Sequence, residues 1–71
     1  MAIDICVRLG RRLRKLRNDR GWSQAYLAEI SETGPVQISA LGNGRREAGL
    51  RILEMLAGSF KVPLSELLRG L

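Results

Sequence analysis

Apolar residues recur in the first third of the chain at the spacing of one helix face. The stripe consists of Ile5, Leu9, Leu13 and Leu16. Their steps of four, four and three residues keep the side chains on one side of an α-helix, while arginines occupy the other faces. We therefore predict a helix from Asp4 to Asp19, followed by Gly21 in the left-handed conformation that ends many helices.

Capping residues mark the start of two further helices. Ser23 is a good N-cap for a second helix that begins at Gln24 and ends near residues 31–32. Gly34 precedes Pro35, which suits the first position of a third helix because its missing N–H has no partner there. Glycines at positions 42 and 44 end this helix after about two turns.

The carboxy-terminal third continues the helical pattern. We predict a fourth helix over about residues 49–59 and a fifth over residues 64–69, separated by a turn at Val62 and Pro63. The inward-facing residues of helices two to five are predicted to be Leu27, Ala28, Ile30, Ile38, Leu41, Leu50, Leu53, Leu56, Ala57, Phe60, Leu64, Leu67 and Leu68, with Trp22 packing at the start of helix two. No alternating run of β-branched residues is present in the sequence. The pattern predicts a compact all-α fold of five short helices, with one domain covering residues 1–71.

The charged residues are distributed unevenly along this helical pattern. The chain has 12 Lys and Arg against 7 Asp and Glu, a net charge of +5. Seven of those cations lie between Arg8 and Arg20, and Arg45 and Arg46 form a second, smaller cluster. A basic balance in a small domain favours a polyanionic partner. A solvated, arginine-rich helix face is the alternative for the longer run.

Several classes of function are excluded by what the sequence lacks. It has one cysteine and no histidine, so an internal disulfide and a zinc site are ruled out and no cofactor is expected. Cys6 is interpreted as a small apolar residue, because no histidine could activate it as a nucleophile. Clustered carboxylates and a phosphate-binding glycine loop are also missing, which argues against an enzyme.

The sequence also predicts the compartment. No apolar run approaches the ~18 residues of a membrane span. At the amino terminus the basic residues follow the apolar ones, which is the wrong order for a secretory signal. With a single cysteine, these features predict a protein of the reducing cytoplasm.

Helices two and three, with the brief turn between them, form a candidate helix-turn-helix over about residues 24–42. Small or apolar residues are needed where the two helices cross, and the sequence offers Leu27, Ala28, Ile38 and Leu41. The residues left outward on helix three are Pro35, Val36, Gln37, Ser39 and Ala40. Such a slim helix fits the major groove of B-form DNA, which is roughly 12 Å wide.

Three stretches of the chain resemble one known family. GWSQAYLAEI, ISALGNGRR and LRILEMLAGSFKVPLSELL are similar to the motifs of the Cro and lambda-repressor-like helix-turn-helix family, also called XRE-like. The resemblance covers about residues 9–68 and is greatest to short members such as Cro proteins and restriction–modification controller proteins. It implies a lambda-repressor-like DNA-binding domain that regulates transcription, as a repressor or autoregulator, with residues 35–41 as recognition helix.

The resemblance also implies roles for individual residues. Gln24 would contact a phosphate and brace the recognition helix, Pro35 and Val36 would face base edges, and Gln37 and Ala40 would contact bases or nearby backbone. Asn43, Arg45 and Arg46 would hold phosphates. The full set of predicted DNA-binding residues is Gln24, Gly34, Pro35, Val36, Gln37, Ser39, Ala40, Asn43, Arg45 and Arg46.

Residue chemistry supports part of this assignment independently. Val36 and Ala40 can touch a thymine methyl group, and Gln37 can pair with N6 and N7 of adenine. The backbone N–H groups of Asn43 and Gly44, beside two arginines, could grip a phosphate. The alternatives are that Val36 covers a core edge, that Gln37 is merely solvated, and that the arginines are an inert surface pair.

Three positions depart from the family pattern, and one of them is Thr33, which replaces an apolar residue that normally seals the turn. Glu32 stands in the turn where the family usually has glycine, so we expect the turn to be reshaped, with Gly34 absorbing the strain. Gly42 stands where the family often has a glutamate that pairs with an arginine matched here by Arg17. An arginine without that carboxylate cannot stay buried and unpaired. We expect Arg17 to turn toward Asp19, Glu32 or a DNA phosphate.

The apolar residues of helices four and five exceed what one small core can hold. We predict a homodimer through these helices, because dimers of this kind read two half-sites of a palindromic operator about one helical turn apart. The predicted interface residues are Ile52, Met55, Phe60, Leu64 and Leu71. The alternative is that these residues complete the core of a single chain. No small-molecule effector is expected, since one short domain leaves little room for a pocket.

Other classes of function fit the residues less well but stay open. An antitoxin, or another protein-interaction module, could use the same fold. An RNA reader would offer exposed aromatic side chains for stacking, whereas this chain has three aromatics in all. A membrane-surface helix would need bulky apolar residues opposite its cations, and in helix one that stripe is required by the core.

Overall fold

A computed structural model describes residues 3–71, and the all-α prediction of five helices is confirmed. The helices are α1 (Ile5–Asp19), α2 (Gln24–Ser31), α3 (Pro35–Gly42), α4 (Leu50–Phe60) and α5 (Leu64–Leu67). The fifth helix is shorter than predicted, because after Leu67 the backbone closes tighter turns, with the Leu71 N–H donating to the Leu68 carbonyl at 3.1 Å. Within residues 3–71, none of the helices has the length and the apolar character of a membrane-spanning segment.

The predicted caps set the limits of the helices. The Ser23 hydroxyl accepts a hydrogen bond from the Tyr26 N–H at 3.0 Å and opens α2. At the start of α3, Gly34 is the N-cap with Pro35 in the first turn. Gly21 has a φ of 68° just beyond α1, as predicted for a left-handed cap. These local signals fix the lengths of α1 to α3 and so the position of the turn between α2 and α3.

The core is built from the predicted helix faces. Its buried hydrophobic residues are Leu9, Leu13, Leu16, Leu27, Ala28, Ile38, Leu41, Leu53, Leu56, Ala57, Phe60 and Leu67. Trp22 packs against this cluster, with its ring stacked on that of Phe60 at a centroid distance of 5.4 Å. The core thus joins all five helices and holds α3 against the rest of the domain.

Four residues that were predicted to face inward are exposed instead. Ile5, Leu50 and Leu64 are the first residues of their helices, and 77% of Leu50 is accessible to solvent. Because side chains tilt toward the amino end of a helix, those in the first position overhang the helix end and miss the core. Ile30 is also exposed, on the side of α2 that carries Tyr26.

The prediction that Phe60 belongs to a dimer interface is wrong. Only 2% of this residue is exposed, and its ring stacks on Trp22 inside the single chain. It therefore cannot offer a surface to a second copy. Ile52 and Leu71 are half-buried and pack against the same core, whereas Leu64 stays 38% exposed.

Helices α1 and α3 approach each other at a glycine that the sequence pattern did not single out. A methyl group added at Gly10 would lie 2.6 Å from the carbonyl oxygen of Gly42 and 2.7 Å from that of Leu41. Such distances are shorter than van der Waals contact allows. One turn earlier, Val7 lies against Gly44, where an added methyl would come within 2.9 Å. The backbone of α3 therefore rests directly on α1.

Most of the basic run between Arg8 and Arg20 has a structural role. This role was foreseen neither by the prediction of a polyanionic partner nor by the alternative of a solvated helix face. Four arginines of this run donate to backbone carbonyl oxygens. The acceptors of Arg12 and Arg20 lie at the carboxyl ends of α5 and α4. The pairs are Arg8 with Leu71, Arg12 with Glu66 and Leu67, Arg17 with Trp22, and Arg20 with Phe60, at N···O distances of 2.6 to 3.2 Å. Cations suit the carboxyl ends of helices because unpaired carbonyls and the negative end of the dipole lie there.

The thiol of Cys6 sits in a half-buried position near the start of α1. Desolvation, reinforced by the carboxylate of Asp4, raises the pKa of Cys6. A raised pKa keeps the thiol protonated and weakly nucleophilic at neutral pH. This agrees with the interpretation of Cys6 as a small apolar residue.

The turn between α2 and α3 keeps a left-handed residue at position 32. Glu32 has a φ of 59° and Gly34 a φ of 87°, so the expectation that Gly34 would absorb the strain in place of Glu32 is wrong. The turn is closed by polar contacts: the buried Ser31 hydroxyl donates to the Leu27 carbonyl at 2.6 Å and lies 2.8 Å from the Thr33 hydroxyl.

Replacing Glu32 with glycine is expected to stabilise the domain by about 0.5–1 kcal/mol, because glycine adopts a positive φ without the steric penalty of a side chain. Urea unfolding monitored by circular dichroism would measure the change. Glu29→Gly is the matched control, since Glu29 lies exposed inside α2 and glycine there should destabilise by about 1 kcal/mol. Equal losses in both variants would show that position 32 carries no strain.

Candidate nucleic-acid interface

The two helices of the predicted helix-turn-helix are held by a small apolar contact. Leu27 and Ala28 of α2 and Ile38 and Leu41 of α3 are all buried. The turn is tied down where the Gly34 N–H donates to the Ala28 carbonyl at 3.4 Å. Because Ala28 has only a methyl group, the helices can cross closely. The opposite side of α3 is left free for contacts outside the chain.

That free side of α3 forms a shallow concave surface with the loop that follows it. The surface is lined by Pro35, Val36, Ser39, Ala40, Asn43, Arg45 and Arg46. Seven of the ten residues predicted to bind DNA therefore come together in one place. Val36 is 71% exposed, which contradicts the alternative that it covers a core edge. The lining of this surface combines the methyl groups of Val36 and Ala40 with two cations, Arg45 and Arg46.

The cations of this surface are available to an anion. Arg45 and Arg46 are exposed, and within residues 3–71 neither forms an ion pair with a carboxylate. Arg46 Nη1 instead donates a hydrogen bond to Gln37 Oε1 at 3.2 Å. Gln37 is half-buried and does not line the concave surface. Because its amide oxygen is bonded to Arg46, the alternative that Gln37 is merely solvated does not describe it fully.

The predicted phosphate grip by backbone amides is wrong. The Asn43 N–H donates to the Ser39 carbonyl at 3.0 Å, and the Gly44 N–H donates to the Leu41 carbonyl at 3.2 Å. Both amides are used to end α3 and have no capacity left for a phosphate. Any phosphate contact at this end of the surface falls to the side chains of Asn43, Arg45 and Arg46.

Gln24 lies apart from the concave surface, at the first position of α2. Its side-chain nitrogen would be 3.8 Å from a methyl group added at Gly42, so the amide reaches over the carboxyl end of α3. This position agrees with the bracing role implied for Gln24. Its exposed side remains free to meet a phosphate.

Comparison with known proteins agrees with this geometry. A family model described as Helix-turn-helix matches residues 13–67. The chain belongs to the helix-turn-helix family. The predicted resemblance is thereby confirmed, and the match includes both helices of the motif together with α4 and α5.

Individual relatives of the helix-turn-helix family are also similar to this chain. This chain is 41% identical over 59 residues to the competence pilus inhibition repressor of Acinetobacter baylyi. The match covers 83% of this chain and 54% of the relative. The chain thus spans about half the length of that relative.

Two solved structures share the fold. The restriction-modification controller protein C.AhdI from Aeromonas hydrophila has a TM-score of 0.83 at 32% identity, covering 87% of this chain and 90% of its own. The clp gene regulator ClgR from C. glutamicum has a TM-score of 0.86 at 28% identity, covering 94% and 87%.

Glycine stands at position 42, where this family often has a glutamate that pairs with the arginine matched here by Arg17. Arg17 has another partner within the chain. Arg17 Nη1 donates to the Trp22 carbonyl at 2.7 Å. Asp19 is hydrogen-bonded to Lys15 at 3.4 Å, and no bond joins Arg17 to Glu32 in the described residues. Of the three partners expected for Arg17, the two carboxylates are therefore not used.

Two features of the site were not predicted from the sequence: the place of Arg14 beside Gln24, and the bond between Arg46 and Gln37. Arg14 lines a narrow cleft with Arg17, Gln24 and Gly42. The signal was present in the sequence, since Arg14 precedes Arg17 by three residues and shares its helix face. The bond from Arg46 to Gln37 had no sequence signal, because it spans nine residues across the end of a helix.

Proposed function

We propose that this protein is a sequence-specific DNA-binding transcriptional regulator, a repressor or autoregulator, that inserts α3 into the major groove. The observation that carries the proposal is the concave surface on α3, where the exposed Val36 and the half-buried Ala40 lie beside Arg45 and Arg46. Neither arginine forms an ion pair with a carboxylate of residues 3–71. The names of the relatives add support, since they describe a repressor, a controller protein and a gene regulator.

The chemistry of the surface suits a DNA groove better than an apolar partner. Val36 and Ala40 offer methyl groups to the thymine C5-methyl, and Gln37 offers an amide to a base edge. Asn43, Arg45 and Arg46 are placed to contact phosphates on the flank of the groove. Gln24 contacts phosphate from the start of α2, near the cleft that holds Arg14 and Arg17.

We further propose that the protein binds a palindromic operator as a homodimer through α4 and α5. Each α3 presents few polar groups, so one copy would gain little specificity, whereas two copies read two half-sites. Leu64 and the neighbouring Leu50 line one exposed apolar groove, and Met55 and Ile52 are half-exposed on α4. Leu71 completes the proposed interface, and Phe60 takes no part in it.

Selection of binders from random duplex DNA, at about 150 mM salt, would test the proposed function. We expect enrichment of a palindrome with half-sites about 10 base pairs apart. Val36→Ala and Ala40→Ser should alter the preference at distinct base pairs, whereas Lys61→Ala, an exposed change at the end of α4, should not.

Two other results would contradict the proposal. If no sequence is enriched and binding disappears as salt rises, the affinity comes from counterion release alone, and a protein partner becomes the better hypothesis. Sedimentation equilibrium that gives monomers both alone and on the selected DNA would overturn the homodimer.

A further inference from the structure

The hydrogen bond between Arg46 and Gln37 links a predicted phosphate contact to a predicted base contact. Arg46 Nη1 lies 3.2 Å from Gln37 Oε1. We propose that Arg46 fixes the orientation of the Gln37 amide, so that the pair selects a guanine at the base pair that Gln37 reads. This inference rests on the proposed function, because it concerns how the same surface recognises its operator.

The orientation of the amide follows from the donors of arginine. A guanidinium offers five N–H donors and no acceptor, so the atom of Gln37 that faces Arg46 must be the oxygen. The Gln37 nitrogen, with its two N–H groups, then points away from Arg46. A glutamine without such a neighbour is free to turn its amide over and present either group.

A fixed amide of this kind distinguishes the two purines. In the major groove guanine presents two acceptors, N7 and O6, whereas adenine presents the N7 acceptor beside the N6 amino donor. The usual pairing of glutamine with adenine needs the oxygen to accept from N6. With that oxygen bonded to a cation, the N–H groups meet the acceptor-only edge of guanine, and the positive charge of Arg46 repels the adenine amino group.

Arg46 has donors to spare for the DNA backbone. One of its five N–H groups is used by Gln37, and its side chain also lines the concave surface of α3. The remaining donors form a fork suited to a phosphate. Arg46 is therefore a positioning residue that contacts both a DNA phosphate and the Gln37 amide. When Arg46 binds the DNA backbone, it aligns the Gln37 amide with the base.

Arg45 provides a matched control for this role. It is an exposed arginine next to Arg46 and lines the same surface. Among the described residues, its side chain has no hydrogen bond to Gln37. Its loss should weaken binding to all sequences alike, whereas the loss of Arg46 should also change which base is preferred.

The experiment determines base preferences by selection from random duplexes for the wild type and for Gln37→Ala, Arg46→Ala and Arg45→Ala. Gln37→Ala identifies the position read by Gln37 as the one where preference disappears. There we expect the wild type to prefer guanine over adenine about tenfold, the size of one bidentate base contact. Arg46→Ala should lose that preference or turn it toward adenine, and Arg45→Ala should keep it with lower affinity.

A base analogue tests the contact atoms directly. Binding to a duplex with 7-deazaguanine at this position should be about tenfold weaker for the wild type and nearly unchanged for Gln37→Ala. Both side chains lie at the surface, and equal circular dichroism melting curves would confirm that the variants fold.

Three outcomes would overturn the inference while leaving the proposed function in place. These are a wild-type preference for adenine at this position, an unchanged guanine preference in Arg46→Ala, and no altered position in Gln37→Ala. If none of the proteins enriches any sequence, the proposed function itself is wrong and the inference is wrong with it.

Discussion

Replacing Gly10 with alanine is expected to destabilise the domain by about 3 kcal/mol, at the upper end of the range for overpacked sites. The added methyl group would lie 2.6 Å from the Gly42 carbonyl oxygen and 2.7 Å from that of Leu41. Both neighbours are backbone atoms, so no side chain can rotate away. Either α1 moves off α3, which opens the core at Leu13 and Leu41, or the backbone of α3 bends.

Urea or thermal unfolding would measure this effect. For a domain of this size, about 3 kcal/mol corresponds to a fall in Tm of roughly 12–24 °C. Gly58→Ala is the matched control, because Gly58 also lies inside a helix but has no neighbour within 4 Å of the added methyl. That variant should gain about 0.5–1 kcal/mol from helix propensity. A gain of similar size in Gly10→Ala would mean that α1 and α3 are not in close contact.

The helices and most of the core could be predicted because their signals are local. Ser23, Gly34 and Pro35 occupy capping positions whose chemistry does not depend on the rest of the fold, and the structure uses each as predicted. Leu50 and Leu64 continue the apolar spacing of their helices yet lie exposed at the first position. Periodicity gives the direction of a side chain but does not tell where the neighbouring helix ends.

The outward face of α3 was predictable for the same reason. Once Ile38 and Leu41 are assigned to the core, the helical period puts Val36 and Ala40 outside. The role of Gly10 was less visible, although a glycine inside a helical pattern lowers helix stability and usually has a packing reason. Its partners are carbonyls of α3, and nothing in the sequence marks which turn of α3 crosses α1.

The fate of the basic run could not be predicted from charge. Arg8 and Leu71 are 63 positions apart, and Arg12 and Leu67 are 55 apart. Charge patterning locates the cations, but the carbonyls they reach carry no residue-specific signal. The count of 12 Lys and Arg therefore overstates how many cations are free for DNA, since four arginines of the basic run between Arg8 and Arg20 bond to backbone carbonyls of the domain itself.

Replacing Arg12 with alanine is expected to destabilise the domain by about 2–3 kcal/mol, because it removes charged hydrogen bonds and leaves partly buried carbonyls without donors. Only 16% of the Arg12 side chain is exposed. It donates to the Glu66 carbonyl at 2.6 Å and the Leu67 carbonyl at 3.2 Å. Helix α5 has a single turn, which is too short to be stable alone. The bonds of Arg12 hold the carboxyl end of α5 against α1.

Equilibrium unfolding and amide hydrogen exchange would measure the loss and locate it. Exchange of the Leu67 and Leu68 amides should accelerate more than that of α1, because α5 would open locally. Arg11→Ala is the matched control, since Arg11 is an exposed neighbour on the same helix and its loss should change stability by less than about 0.5 kcal/mol. Equal effects in the two variants would contradict a specific role for Arg12.

Salt dependence separates the two kinds of partner that Arg12 has. Its contact with the Glu66 carboxylate is long, at 3.4 Å, and the Glu66 side chain is 41% exposed, so that contact should weaken in salt and contribute little. Its bonds to neutral carbonyls are shorter and shielded. The loss in Arg12→Ala should therefore persist in 1 M NaCl. If it vanishes there, the ion pair rather than the carbonyls holds α5, and the basic run stabilises the fold by charge rather than by closing helix ends.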